Sequence, residues 1–154
     1  MNPHIVFETH MGTLPHDERH ILDGLSPTDD ERWNHRLDNA LFYVIAWHGD
    51  RPVGFAFGVN PTGVAAESWD RHVPGALEFG GLIVDPEYRR QGIMIELVRL
   101  RLNMAKELGR TPVAVTRADN EKVIGYYSSR GWTPRREFLR DEVLLIPWVL
   151  ETDF

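Results

Sequence analysis

The stretch from Leu82 to Gly109, LIVDPEYRRQGIMIELVRLRLNMAKELG, constrains this chain more than any other. Its first residues suit a buried strand, Asp85 to Gln91 is a polar turn carrying Arg89 and Arg90, and a long amphipathic helix follows with Gly92 in its first turn. Ile93, Leu97, Leu100, Met104 and Leu108 recur at helical spacing, with Glu96, Arg99, Arg101, Lys106 and Glu107 mostly between them, and Gly109 and Pro112 supply a stop. A helix start leaves backbone N–H groups without intrahelical partners and carries the positive end of the helix dipole. A strand that feeds a glycine-containing turn into such a start is suited to hold a phosphate.

The flanking segments extend this frame. Leu77 to Val84 (LEFGGLIV) reads as one strand with Gly80 and Gly81 in its interior and a lone carboxylate, Glu78, near its beginning. Interior glycines in a strand mark a bulge or a close approach of a ligand to the backbone. Pro112 to Arg117 reads as another strand, and a strand, helix, strand order places two parallel strands side by side through a right-handed crossover. Asn120 to Gly131 reads as a short helix with Ile124 and Tyr127 on one face. Trp132 to Arg140 and Glu142 to Glu151 then close the chain as an antiparallel pair turning at Asp141, with Leu144 to Leu150 apolar enough to be central in the sheet.

Upstream, Ile5 to Thr9 has the content of a short strand, and Pro15 to Leu25 that of a short helix ending near Gly24. A second helix starts at Ser26-Pro27 and runs through Trp33 and Leu37, four apart on one face. Ala40 to Trp47 and Pro52 to Val59 form a hairpin across the turn-like His48-Gly49-Asp50-Arg51. Asn60 to Ala76 is long for a hairpin connection and reads either as a binding loop or as an insertion.

A chain of 154 residues with 42% hydrophobic and 26% charged residues fits a single globular domain over 1–154. It has no cysteine, hence no disulfide, zinc-thiolate site or cysteine nucleophile. A formal charge of -6 disfavours nucleic acid as a partner. No apolar run approaches a membrane span and MNPHIVFETH lacks the features of a signal peptide, so a cytoplasmic location away from the membrane is the expectation. All seven histidines lie between His4 and His72, and on an α-helix His16 and His20 share a face. Asp17 replaces the glutamate that a zinc-protease pattern requires and no third ligand is evident, so no metal is expected, with a small metalloprotein as the competing reading.

Leu82-x-Val84-x-Pro86-x-x-Arg89-x-x-Gly92-Ile93 resembles the coenzyme A signature of the GNAT superfamily, the Gcn5-related N-acetyltransferases, and Asn120 followed by Tyr127, Gly131 and Trp132 resembles its second signature. The two come in the family's order on a framework covering nearly the whole chain. The resemblance implies an α/β (α+β) fold: a mixed, mostly antiparallel sheet of six or seven strands with a central splayed parallel pair and about four helices. It implies acetyl-CoA as co-substrate, its pyrophosphate cradled by the backbone of Arg89, Arg90, Gln91, Gly92, Ile93 and Met94 with help from the two arginines. Its pantetheine arm pairs with Leu82, Ile83 and Val84 as an added strand, and Asn120 is either a further contact or a helix N-cap. The family usually has glycine or alanine where this chain has Met94; its N–H is available and a methionine side chain can turn into the core.

The implied reaction is direct acetyl transfer to an amine. Deprotonating an ammonium of pKa near 10.4 at pH 7 costs about 4 to 5 kcal/mol, which a carboxylate acting directly or through water relieves. Glu78, eleven positions before Arg89, matches the general base of the histone-acetylating branch; as an alternative it is a strand-edge surface residue. Tyr127 matches the family's general acid, with Tyr126 as substitute, and alternatively packs as a half-buried aromatic. Backbone N–H groups near Ile83 meet the oxyanion. The acceptor, a small-molecule or peptide amine, faces Pro15 to Asn39, Asn60 to Ala76 and Trp132 to Asp141, where Asp17, Glu18, Asp29 and Asp30 suit a cation. The competing class is a non-catalytic acyl-CoA-binding or sensing module, and the oligomeric state, a homodimer included, is open.

Overall fold

A computed structural model describes residues 4–25, 31–61, 73, 75–79 and 81–150, with the backbone alone at 31–33. The expected helix start at Ser26-Pro27, the Trp33 side chain, Asp29, Asp30, Gly80 and most of the Asn60 to Ala76 loop lie outside the described residues. The chain divides into two compact units, 1–59 with 80–104, and 60–79 with 105–154.

In the first unit β1 (Ile5–Met11) runs antiparallel to β2 (Ala40–His48), and β2 to β3 (Arg51–Val59). Gly49 and Asp50 make the two-residue turn of this hairpin, and Gly49 at φ 64 takes the left-handed conformation such turns need. β5 (Leu82–Val84) pairs antiparallel with β3, Ile83 opposite Phe55. Tyr43, Ile45, Phe55 and Phe57 project from one face into a buried cluster with Leu14, Leu22, Leu25 and Leu37. Each fully buried Phe or Leu there contributes roughly 1.5 to 3 kcal/mol. Leu14 and Leu22 come from the first helical segment and its approach, and Leu37 from α1 (Glu31–Asp38). On the opposite face Gly54 leaves room for the helix α2 (Ile93–Glu107): a Cβ at Gly54 would stand 3.0 Å from Ile93 Cγ2 and 3.2 Å from Leu97 Cδ1.

The first helical segment is a 3-10 helix, His16–Leu22, and not an α-helix. At three residues per turn, positions four apart diverge by about a third of a turn, so His16 and His20 do not share a face. His16 Nε2 lies 3.1 Å from Asp38 Oδ1, and the His20 ring bonds the Asp17 carbonyl at 3.0 Å.

In the second unit β4 (Ala76–Glu78) pairs parallel with β6 (Thr111–Arg117), Glu78 opposite Val113, and Phe79 N–H donates to Val113 O at 2.8 Å. β9 (Val143–Val149) is central as expected, antiparallel to β6 on one side and to β7 (Thr133–Pro134) and β8 (Phe138–Arg140) on the other. Gly109 at φ 65 closes α2, its N–H bonded to Lys106 O and that of Arg110 to Ala105 O.

Among the described residues there are nine strands, which become seven, within the expected six or seven, once two interrupted ones are rejoined. Leu77 to Val84 is not one strand: β4 and β5 are separate pieces of it, with Phe79 and Gly81 in neither, and the closing arm is likewise cut into β7 and β8. The expected parallel pair is present, though only the first half of the expected strand makes it. The parallel partner of β6 is β4, before α2, whereas β5, the strand directly feeding α2, pairs with β3.

Candidate functional site

Leu82, Ile83 and Val84 use one edge in the ladder to β3, and among the described residues no second strand pairs with β5. An edge strand of this kind offers main-chain donors and acceptors to a ligand that mimics a strand. Directly after it, Asp85 enters a 3-10 turn, Pro86–Tyr88, as its N-cap: Asp85 Oδ1 accepts from Glu87 N–H at 2.9 Å, and Tyr88 N–H donates to Asp85 O at 2.8 Å. Pro86 sits at the first position, where its missing N–H costs nothing.

The chain then reaches the turn expected to hold an anion. Arg89 and Arg90 are exposed, Gln91 and Gly92 half-buried. Arg90 at φ 65 and Gly92 at φ 79 are both left-handed, the conformation that turns backbone N–H groups towards one concave side. A left-handed arginine costs about 1 to 2 kcal/mol, so the turn holds strain of the sort found where a ligand is bound. The Glu96 N–H closes the first helical bond on Gly92 O, leaving those of Ile93, Met94 and Ile95 ahead of the ladder. Gln91 Oε1 is buried without a hydrogen-bond partner. In the first helical turn Glu96 is paired to Arg99, whose guanidinium bonds hold its carboxyl below the usual range. Gly92 precedes the helix rather than lying inside it.

Met94 does not turn into the core. It is 45% exposed, with Ile95 still more so, because Ile93 and Leu97 occupy the face against β3. Arg101, expected among the solvated positions of α2, is buried at 5% exposure, its guanidinium reaching towards the Phe57 carbonyl.

The second unit holds the groups of the other signature. Glu78 is 3% exposed on β4, so it is not a surface residue. Its neighbour Phe79 packs edge-on to Trp132 at 5.9 Å, and Trp132 edge-on to Tyr127 at 4.9 Å. Tyr127, half-buried on α3 (Glu121–Ser129), stacks on Trp148 with centroids 5.6 Å apart. Thus β4 and α3 are joined by a run of aromatic rings. Tyr126 instead lies under the Arg130 guanidinium, 3.8 Å from its ring centre. Asn120 is the N-cap of α3, its Oδ1 accepting from Val123 N–H at 3.2 Å.

Several supporting residues were not singled out from the sequence. Arg51 donates to Asp85 Oδ2 at 2.8 Å, His48 Nδ1 is bonded to the Tyr88 hydroxyl at 2.7 Å, and Trp148 carries Tyr127. The Asp-Pro pair at 85–86 is a readable capping signal, but the partners of Asp85 and Tyr88 come from a hairpin more than thirty residues away.

Among the described residues no helix is long and apolar enough to cross a membrane, and no three potential metal ligands cluster. The sequence pattern of the acetyltransferase (GNAT) family matches residues 8–132. No curated protein matches the chain. Its solved neighbours include a GNAT family acetyltransferase from Elizabethkingia anophelis with acetyl-CoA bound, 14% identical, TM-score 0.66, covering 98% of this chain and 100% of the other. A second, described as a putative acetyltransferase of the GNAT family from Desulfovibrio desulfuricans, is 17% identical with TM-score 0.68, covering 96% and 98%. The ribosomal-protein-S18-alanine N-acetyltransferase of Escherichia coli is 15% identical with TM-score 0.62, covering 97% of each chain. At such identities the likeness is one of fold. Taken with the family pattern spanning most of its length, it establishes that this chain belongs to the GNAT acetyltransferase family.

Proposed function

We propose that the protein transfers an acetyl group from acetyl-CoA to a primary amine, without a covalent enzyme intermediate. The observation that carries this reading is the turn at the head of α2, where left-handed Arg90 and Gly92 bracket Gln91 ahead of unpaired helix N–H groups. Residues Arg89 to Met94 hold the pyrophosphate through backbone N–H groups, and Arg89 and Arg90 add positive charge. β5 offers its open edge to the pantetheine amides, and Asn120 offers Nδ2.

Acetyl-CoA, as co-substrate, supplies an activated acyl carbon. Transfer breaks the thioester C–S bond and forms an amide C–N bond with two proton movements: first, the ammonium gives up a proton before it attacks, which passes on to solvent; second, sulfur gains one as it leaves, balanced by the proton that the new amide nitrogen loses. Glu78 is the base that takes the first, directly or through water. Its burial supports this role, because a carboxylate inside a fold is rare and more often functional than one on the surface. Tyr127 is the acid that supplies the second, its ring held by Trp148 and Trp132 so that the hydroxyl keeps one position. No metal is required.

The acceptor is an amine on a small molecule or a peptide. A cytoplasmic enzyme acting away from membranes and nucleic acid suits the acidic net charge. Calorimetric titration with coenzyme A tests the cofactor half of the proposal: binding is expected, with pantetheine alone far weaker. Equal affinity for the two would mean that the pyrophosphate is not held by the turn.

A further inference from the structure

Arg51 stands at the tip of the β2–β3 hairpin, outside both signatures of the family, yet its guanidinium reaches the turn that precedes the pyrophosphate cradle. Its Nη2 donates to Asp85 Oδ2 at 2.8 Å and to Glu87 Oε2 at 3.1 Å, and its Cζ lies over the Tyr88 ring, 5.1 Å from the centre. Asp85 is 6% exposed and uses its other oxygen to cap the turn, so both carboxylate oxygens are committed. The Asp85 N–H continues the ladder to Val53 O at 2.9 Å. Tyr88, the last residue of the turn, is fixed from its far end by His48 at 2.7 Å. The hydrogen bond to Asp85, with a smaller one to Glu87, raises the Arg51 pKa above its usual value, so the guanidinium is charged at every working pH.

We infer that Arg51 is a positioning residue for the nucleotide half of coenzyme A: by holding the buried Asp85 carboxylate and the Tyr88 ring it fixes the turn whose next residues, Arg89 to Met94, form the pyrophosphate cradle. This rests on the function proposed above. The physical reason is that the cradle begins one residue after Tyr88 and contains two left-handed residues, a conformation that persists only where the flanks impose it. Removing the guanidinium leaves a buried carboxylate short of one partner, and the turn relaxes to satisfy it. Small displacements of binding groups are amplified, about a hundredfold for 1 Å at a reacting centre.

The test compares Arg51→Met and Arg51→Lys with the unaltered protein on two donors, acetyl-CoA and the acetyl thioester of pantetheine, which lacks the pyrophosphate. For Arg51→Met, KM for acetyl-CoA is expected to rise by about tenfold or more. Its kcat at saturating acetyl-CoA, its KM for the amine and its kinetics with acetyl-pantetheine are expected to stay unchanged, and Arg51→Lys to recover part of the loss. Equal losses on both donors would mean that Arg51 supports the fold alone, and unchanged KM for acetyl-CoA would overturn the inference. If Arg51→Met does not fold, Asp85→Asn, which keeps a side-chain oxygen to cap the turn and removes the charge that Arg51 holds, takes its place in the donor comparison: a rise in KM confined to acetyl-CoA supports the inference, and an unchanged KM overturns it. Failure of the underlying function looks different, since the unaltered protein itself would then release no thiol from acetyl-CoA.

Discussion

The Tyr127 ring lies nearly parallel to the indole of Trp148, 19° between planes and 5.6 Å between centres, while the Trp148 Nε1–H is spent on Thr116 Oγ1 at 2.9 Å. The platform under the tyrosine is therefore itself held from the next strand. Tyr127→Phe keeps the ring and its stack and removes only the hydroxyl. Turnover is expected to fall by about a hundredfold or more, with coenzyme A affinity nearly unchanged. Steady-state kinetics beside calorimetry check this, and equal losses in both would count against the acid role.

Glu78→Gln leaves a side chain of the same size in the same buried place. At pH 7 kcat/KM is expected to drop by about two orders of magnitude or more, and the deficit to shrink as pH rises towards 10, where the amine increasingly loses its proton unaided. A pH–rate profile of both proteins measures the effect. A deficit constant across that range would remove Glu78 as base.

Much of the turn between β5 and α2 could be read in advance, because its determinants are local: a proline, adjacent arginines and a glycine between strand and helix. Legible in the same way were the β2–β3 hairpin, the closing strands and the stop at Gly109. What escaped was set by partners distant in sequence. Leu77 to Val84 is apolar through most of its length, and nothing in that composition says that only its first half makes the expected pair with β6 while its second pairs with β3. Met94 looked like core material because it is apolar, but α2 spends Ile93 and Leu97 on β3 and leaves the adjacent position outside. Arg51 was invisible as a support for Asp85, thirty-four residues on, since a hairpin arginine carries no local sign of what it will reach.

Gly54 shows how tightly that helix lies on β3. A Cβ there would be 3.0 Å from Ile93 Cγ2 and 3.2 Å from both Ala46 Cβ and Leu97 Cδ1, all interior atoms with nowhere to retreat. Gly54→Ala is expected to lower unfolding free energy by about 1 to 3 kcal/mol in a urea titration.

Asp38 gives a pH signature to the other face of the first unit. The hydrogen bond from Arg19, 2.7 Å to Oδ1, is the largest influence on its carboxyl and holds it below the usual range, against an opposing effect of burial. A carboxyl with a folded pKa below its unfolded one contributes stability that is complete above the unfolded value, about 3.9, and lost as pH falls through the folded value. Asp38→Asn is thus expected to lower the thermal midpoint at pH 7, with the gap to the unaltered protein closing below about pH 4. A gap that persists at pH 2 would place its origin outside this ion pair.

Acetyl transfer itself is tested by the release of free thiol from acetyl-CoA across a panel of amines. At least one amine class, polyamine, aminoglycoside or peptide, is expected to raise thiol release well above the hydrolytic background, with an equal amount of N-acetylated product by mass spectrometry. Tight coenzyme A binding with no thiol release for any amine would contradict acetyl transfer and identify an acyl-CoA-binding module instead.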